Sequence, residues 1–274
     1  MVWSNFLKGL VIGVSNVLPG VSGGTIALLL GIYDRLIFAI NHLFSKKWKE
    51  QLPFLLSVGA GLVVATFLFA NVIDWLFEQY PQQIQFAFIG LIIGSLPLLL
   101  KQSGLKQTIN GKYVFLLIFS VIIAASLKFF SPAEATIITE MTPGIYLLLL
   151  FAGFIASSSM ILPGISGSLM LLLIGAYGTI IRAVTVLQID ILIVTAIGIG
   201  LGVVVMSKVI SYFLKQYPVA TYAMIIGFVI GSLSVIFPGW PTNGVAILSS
   251  AGAFLIGLTL AYLLGLAKQK EETV

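Results

Sequence analysis

The chain has 274 residues, of which 59% are hydrophobic and 8% charged, and its mean hydropathy is +1.13. So little polar surface excludes a water-soluble globular domain and indicates an all-α polytopic membrane protein. Cysteine is absent, which excludes disulfides, thiol catalysis and cysteine-held clusters; the single histidine, His42, argues against a histidine metal site; and the net charge of +5 lies in loops, where it reports topology and lipid contact rather than nucleic-acid binding.

The first apolar stretch, residues 3–18, has no signal-peptide cleavage pattern and runs straight into the chain's most informative segment. Residues 15–37 read SNVLPGVSGGTIALLLGIYDRLI, and residues 159–181 read SMILPGISGSLMLLLIGAYGTII, identical at 11 of 23 positions. Each copy sets a Pro-Gly break and a Ser-Gly pair inside an apolar run. Paired breaks of this kind mark the broken helices of transporters. The first copy predicts a re-entrant hairpin over residues 3–40, since both arms are short for a crossing and the second stops at Asp34 and Arg35. The second predicts a hairpin over 144–187, although its first arm, 144–162, is long enough to span.

Six longer runs predict full crossings at 53–77, 84–100, 113–130, 189–214, 219–237 and 245–266. Most have the roughly 20 residues that cross about 30 Å of hydrocarbon. With hairpins, one face receives Lys46, Lys47, Lys49, Lys101, Lys106, Lys112, Lys215, Lys268 and Lys270. The opposite loops, 78–83, 131–143 and 238–243, hold Glu78, Glu134 and Glu140 but no Lys or Arg. Only Lys128 and Arg182 lie near that face. The positive-inside rule then puts both termini in the cytoplasm.

The similarity extends past the hairpins. Gln79-Tyr80-Pro81 recurs as Gln216-Tyr217-Pro218, and Ile93-Gly94-Ser95-Leu96 as Ile230-Gly231-Ser232-Leu233. Each half, 1–131 and 140–268, is one hairpin plus three crossings, and an odd number of crossings inverts the second half. Glu78 and Lys215 precede the two Gln-Tyr-Pro triplets, opposite charges at equivalent places, as expected if one faces out and the other in. Inverted repeats with broken helices build many secondary transporters; a duplication kept only for packing is the alternative. Gly59, Gly61, Gly90, Gly94, Gly198, Gly200, Gly202, Gly227 and Gly231 have the small-residue spacing of close helix contacts.

The tips carry the chemistry. A helix starts after each, with unpaired amides and a partial positive charge. Pro19, Gly20, Gly23, Gly24, Pro163, Gly164 and Gly167 shape the turns, and Ser22, Thr25, Ser166 and Ser168 offer hydroxyls. Two such starts facing one cavity make an anion cradle for phosphate or carboxylate. The bland alternative is tight turns with Ser as a helix cap. Asn16 and Ser159 just precede the tips and are candidates to line the cavity. Arg35 and Arg182 lie about 18–22 Å from the tips if the following helices are straight, which places them near opposite interfaces. Each attracts an anionic headgroup in its own leaflet or simply snorkels. Asp34 pairs with Arg35, is solvated, or carries a proton.

These motifs resemble the bacterial polyprenyl-phosphate transporter family, over essentially the whole chain. The doubled LPG-[VI]-SG is the specific element. The resemblance implies a plasma-membrane protein that returns undecaprenyl phosphate, the lipid carrier of cell-wall synthesis, from the outer to the inner leaflet, with no cofactor. It implies a site at residues 18–24 and 162–168, with Asp34 and Arg35 closing the first motif. The second motif has Gly178-Thr179 in their place. A transporter of small soluble anions and a membrane lipid phosphatase are the rivals. The latter would need a nucleophile that the His and Cys counts do not supply. A non-transporting scaffold leaves the two breaks unexplained. A proton gradient is a plausible drive, although no chain of buried acids stands out.

Overall fold

The computed structural model describes residues 2–16, 22–43, 45–105, 108, 110–130, 137–138 and 140–272. Its helices are α1 (Val2–Asn16), α2 (Gly23–Leu29), α3 (Tyr33–Asn41), α4 (Trp48–Gln79), α5 (Pro81–Gln102), α6 (Gly111–Ser126), α7 (Pro143–Ile161), α8 (Gly167–Ile174), α9 (Tyr177–Thr185), α10 (Ile189–Gln216), α11 (Pro218–Ile236) and α12 (Gly244–Glu272). A short 3-10 turn, Leu127–Phe129, extends α6. Among the described residues, six helices are long and apolar enough to cross a bilayer: α5, α6 with its extension, α7, α10, α11 and α12. Helix α4, of 32 residues, encloses the run 53–77 and is about 48 Å long.

Glycine sets how these helices pair. A Cβ on Gly9 of α1 would lie 2.2 Å from the Val58 carbonyl of α4, and one on Gly13 would lie 2.4 Å from that of Leu62. Contact numbers rise together along both helices, so α1 and α4 run parallel. The same holds for α7 and α10, where Gly198 meets Leu150 and Gly202 meets Phe154. Two helices in sequence can run parallel only if the chain between them returns. That return is α2–α3 in the first half and α8–α9 in the second.

The remaining glycine pairs cross between the halves. Gly90 and Gly94 of α5 meet Phe254 and Leu258 of α12, and Gly257 of α12 meets Ala87 of α5. Gly227 and Gly231 of α11 meet Leu117 and Val121 of α6. Both pairs are parallel. Without a hydrophobic drive between helices in lipid, backbone approach of this kind holds them together. Seven of the nine glycines read from sequence as packing positions make such contacts. Gly59 and Gly200 face open space.

The helix after each break is not continuous. Gly31 (φ 67°) and Gly175 (φ 77°) end α2 and α8 in the left-handed conformation. The chain then bends by 117° between α2 and α3 and by 108° between α8 and α9. Glycine at this position closes a helix without a Cβ clash. The straight-helix spacing of Arg35 and Arg182 from the tips is corrected accordingly: each arginine lies beyond a right-angled turn rather than at the end of a rod.

The halves also differ. All seven residues of α2 are buried, whereas no residue of α8 is. Helix α3 packs against α10 as well as α4, whereas α9 packs within its own half against α8 and α10. Asn41 at the end of α3 donates to the Ser207 carbonyl of α10 (2.9 Å), and the Ser207 hydroxyl donates back to the Asn41 side chain (3.2 Å).

Candidate functional site

The two broken motifs meet. Ser22, at the start of α2, donates its hydroxyl toward the carbonyls of Met160 (3.2 Å) and Leu162 (3.1 Å) at the end of α7. In return, the Gly164 amide of the second turn donates to the Thr25 hydroxyl at 2.8 Å. The Tyr33 hydroxyl donates to the Ile161 carbonyl at 3.1 Å. Helix α7 stops here because Pro163 and the left-handed Gly164 (φ 89°) break it, which leaves its last carbonyls without intrahelical donors. The first motif supplies those donors. Buried carbonyls deep in an apolar protein are costly when unpaired, so this interlock is a structural requirement as well as a contact.

Beside the interlock lies a cavity of about 220 Å³, whose lining includes Ser22, Gly23, Ser157, Ser166, Gly167 and Ser168. Ser166 and Ser168 share a hydrogen bond of 2.9 Å, and Ser166 makes no cap bond to its helix. Among the described residues, the Gly167 and Ser168 amides have no backbone acceptor. Four serines and a helix start therefore border a small cavity with apolar walls; the Ser22 and Ser157 hydroxyls are engaged by α7 carbonyls, and the Ser166–Ser168 pair bonds to itself. That arrangement suits the oxygens of a compact anion.

The sequence-predicted residues divide accordingly. Ser22, Gly23, Ser166, Gly167 and Ser168 line the shared cavity. Thr25, Gly24 and Gly164 serve the packing instead. Thr25 accepts from Gly164; a Cβ on Gly24 would lie 2.8 Å from the Ile161 carbonyl; and one on Gly164 would lie 2.5 Å from the Phe228 backbone of α11. Glycines at these two positions admit neighbouring backbone rather than clear a path for a ligand. Pro163 is fully buried, and Ser159 is buried on α7. Asn16 closes α1, but its side chain is outside the described part, and Pro19 and Gly20 lie outside the described residues.

Asp34, Arg35 and Arg182 stand apart from the cavity. Asp34 accepts a 3.0 Å hydrogen bond from Tyr222 of α11 and borders a separate notch of about 200 Å³ with Ser211 and Lys215. The Arg35 guanidinium sits 4.8 Å over the Phe54 ring of α4, a cation–π contact. Arg182 is exposed on α9. Thr179, which occupies the Arg35 position of the second motif, is buried and accepts the Ile138 amide. Ser157 lines the cavity, Tyr33 joins the interlock and Tyr222 holds Asp34 at the separate notch, none of them singled out from sequence. The only signal was Tyr33, which recurs as Tyr177 in the duplicated motif.

Two interlocked broken-helix motifs within a largely apolar helical array define a multi-pass membrane protein. Matching over residues 12–264, the chain belongs to the VCA0040-like family, described as undecaprenyl phosphate translocase-like. It is 38% identical to a polyprenyl-phosphate transporter of Staphylococcus aureus (strain NCTC 8325 / PS 47), over 98% of each chain. It is 36% identical to a polyprenyl-phosphate transporter of Vibrio cholerae serotype O1 (strain ATCC 39315 / El Tor Inaba N16961), over 86% of this chain and 77% of the relative. No solved structure matches.

Proposed function

We propose that this protein carries undecaprenyl phosphate from the outer to the inner leaflet of the bacterial plasma membrane, with the phosphate held at the meeting point of the two motifs. The single observation that carries this reading is the serine-lined cavity shared by Ser22 of the first motif and Ser166 and Ser168 of the second. The names of the family and of its relatives supply the lipid.

An inverted repeat supports alternation between two states. Were the chain to reverse at Tyr80, at Tyr217 and again between α5 and α6, the parallel pairs would set α7, α10, α11 and α12 opposite in direction to α1, α4, α5 and α6. Because the halves are equivalent in sequence but not in packing, exchanging their packing would close one path and open the other. In the present state α2 is fully buried, whereas α8, packed on α7, is only half-buried. The Asp34–Tyr222 and Asn41–Ser207 links then act as the latch on the lysine-bearing, cytoplasmic side. The second motif has Gly178 and Thr185 at the positions equivalent to Asp34 and Asn41. The phosphate would enter past α8 and leave when the latch opens.

The test is leaflet-resolved movement of a labelled polyprenyl phosphate in liposomes, with and without a pH gradient. Ser22→Asp and Ser166→Asp place a carboxylate where the phosphate would sit. Both are expected to abolish movement while membrane insertion is retained; normal movement by both variants would remove the cavity from the mechanism. Inorganic phosphate uptake with no lipid movement would instead favour a carrier of soluble anions.

A further inference from the structure

A second and larger cavity, of about 590 Å³, lies on the other side of the interlock. It is bounded by α6, α10 and α11, since α6 and α10 both pack on α11 without packing closely on each other. Leu162 and Tyr33, both part of the interlock, form its deep end, and Lys112, Tyr217 and Thr221 border its mouth. From Tyr217 back to Met206 along α10 is eleven residues, or about 16 Å of depth. Between these ends the wall is almost wholly apolar, with Met206, Met224 and Phe228 prominent.

We infer that this cavity takes part of the hydrocarbon chain of the carried prenyl lipid, with the lipid's phosphate drawn toward Lys112 on the lysine-bearing side. The inference rests on the lipid-carrier reading and extends it, because the chain is then enclosed by protein rather than left wholly in the bilayer. Three features favour one isoprenoid chain. The volume falls within the range of single-ligand sites. Methionine side chains at two depths adapt to an irregular, branched shape. Among the described residues of its lining, Lys112 is the one cation and complements a single anionic head, and the cavity abuts the same Leu162 whose carbonyl the Ser22 hydroxyl engages in the head-group site. A lipid released from the serine cavity toward the lysine-bearing side would pass the Tyr33–Ile161 contact and arrive here.

Ala220 lines the cavity with a small side chain on α11. Purified full-length protein would be titrated with labelled undecaprenyl phosphate, with dimethylallyl phosphate as a single-unit isoprenyl phosphate, and with phosphatidylglycerol as competitor. Ala220→Trp fills space otherwise open to the chain, and each excluded methylene is worth about fourfold in affinity. It is expected to weaken undecaprenyl phosphate binding tenfold or more and, because Ala220 neighbours Thr221 at the mouth, to weaken the short phosphate by a smaller factor. Lys112→Gln is expected to weaken both by about fivefold, the worth of one near-surface charge. Ala220→Leu, a smaller filling, gives a graded loss if the tryptophan variant is poorly folded. Undiminished binding by both fillings, with wild-type binding intact, overturns the cavity assignment alone. Equal competition by phosphatidylglycerol reassigns the cavity to bilayer lipid and overturns it as well. Absence of undecaprenyl phosphate binding by wild-type protein overturns the lipid-carrier reading together with this one.

Discussion

Gly164→Ala probes the interlock at its most constrained residue. Two separate costs are visible there. The backbone is left-handed at φ 89°, and a Cβ would meet the Phe228 carbonyl carbon and oxygen at 2.5 Å. Gly175 isolates the first cost, since it has φ 77° but nothing within 4 Å of a new Cβ. Placing alanine in such a conformation costs about 1 kcal/mol at the low end, so Gly175→Ala should lose about that much. Gly164→Ala adds a backbone clash, and forcing atoms into a packed site costs a further ~1–3 kcal/mol. At about 2–4 °C per kcal/mol for a chain of this size, the Gly175 variant should melt only a few degrees early. The Gly164 variant should melt at least twice as far below wild type. Moving the Gly164 amide also withdraws the hydrogen bond to Thr25, so transport should fall in the Gly164 variant and persist in the other. The assays are thermal melting in detergent and leaflet-resolved transport in liposomes. Equal melting temperatures and equal transport for the two variants would refute the packing argument at the interlock.

Other outcomes follow from particular contacts. In α4, Gly61→Ala would drive a Cβ to 2.1 Å from the Phe6 carbonyl, whereas Gly59→Ala meets open space; expression and melting should fail in the first and be unchanged or slightly improved in the second, by up to ~1 kcal/mol. Tyr222→Phe removes the donor to Asp34, and by the usual net worth of a hydrogen bond to a charged group should weaken the latch by about 1.5–3 kcal/mol. Thiol labelling of Ser211→Cys should then rise, and an unaltered labelling rate would show that the link does not hold that side closed. Arg35→Lys keeps the charge but loses the planar stack on Phe54, so it should destabilise α3 more than Arg182→Lys destabilises α9 in the same melting assay.

The repeat and its breaks were legible because duplication at matched positions is a strong sequence signal. The hairpin return followed from charge, and the glycine-made parallel pairs agree with it. The sharp bends after α2 and α8 were not anticipated, although the sequence carried them as the recurring Leu-Gly-x-Tyr and Ile-Gly-x-Tyr segments. An apolar run masks a glycine C-cap when both sides of the bend stay in protein or lipid. Small-residue spacing told which helix faces approach a neighbour but not which neighbour. Pairing of α5 with α12 and of α6 with α11 across the halves is therefore a property of tertiary structure alone. The serines proved separable only in three dimensions, with Ser22 turned toward the α7 carbonyls and Ser166 toward Ser168. Nothing in the sequence marked Tyr33 as the residue whose hydroxyl donates to the Ile161 carbonyl.

In the proposed mechanism the two motifs, which touch where Ser22 meets the Met160 carbonyl, must part for a phosphate to pass. The chain has no native cysteine, so a Ser22→Cys, Met160→Cys pair can be oxidised without background. Leaflet-resolved transport of labelled polyprenyl phosphate, measured before oxidation, after it and after reduction, is the decisive measurement. The pair should cross-link within one chain, transport should stop, and reduction should restore it. A pair that never cross-links, or a cross-linked protein that carries lipid at the reduced rate, would contradict the account.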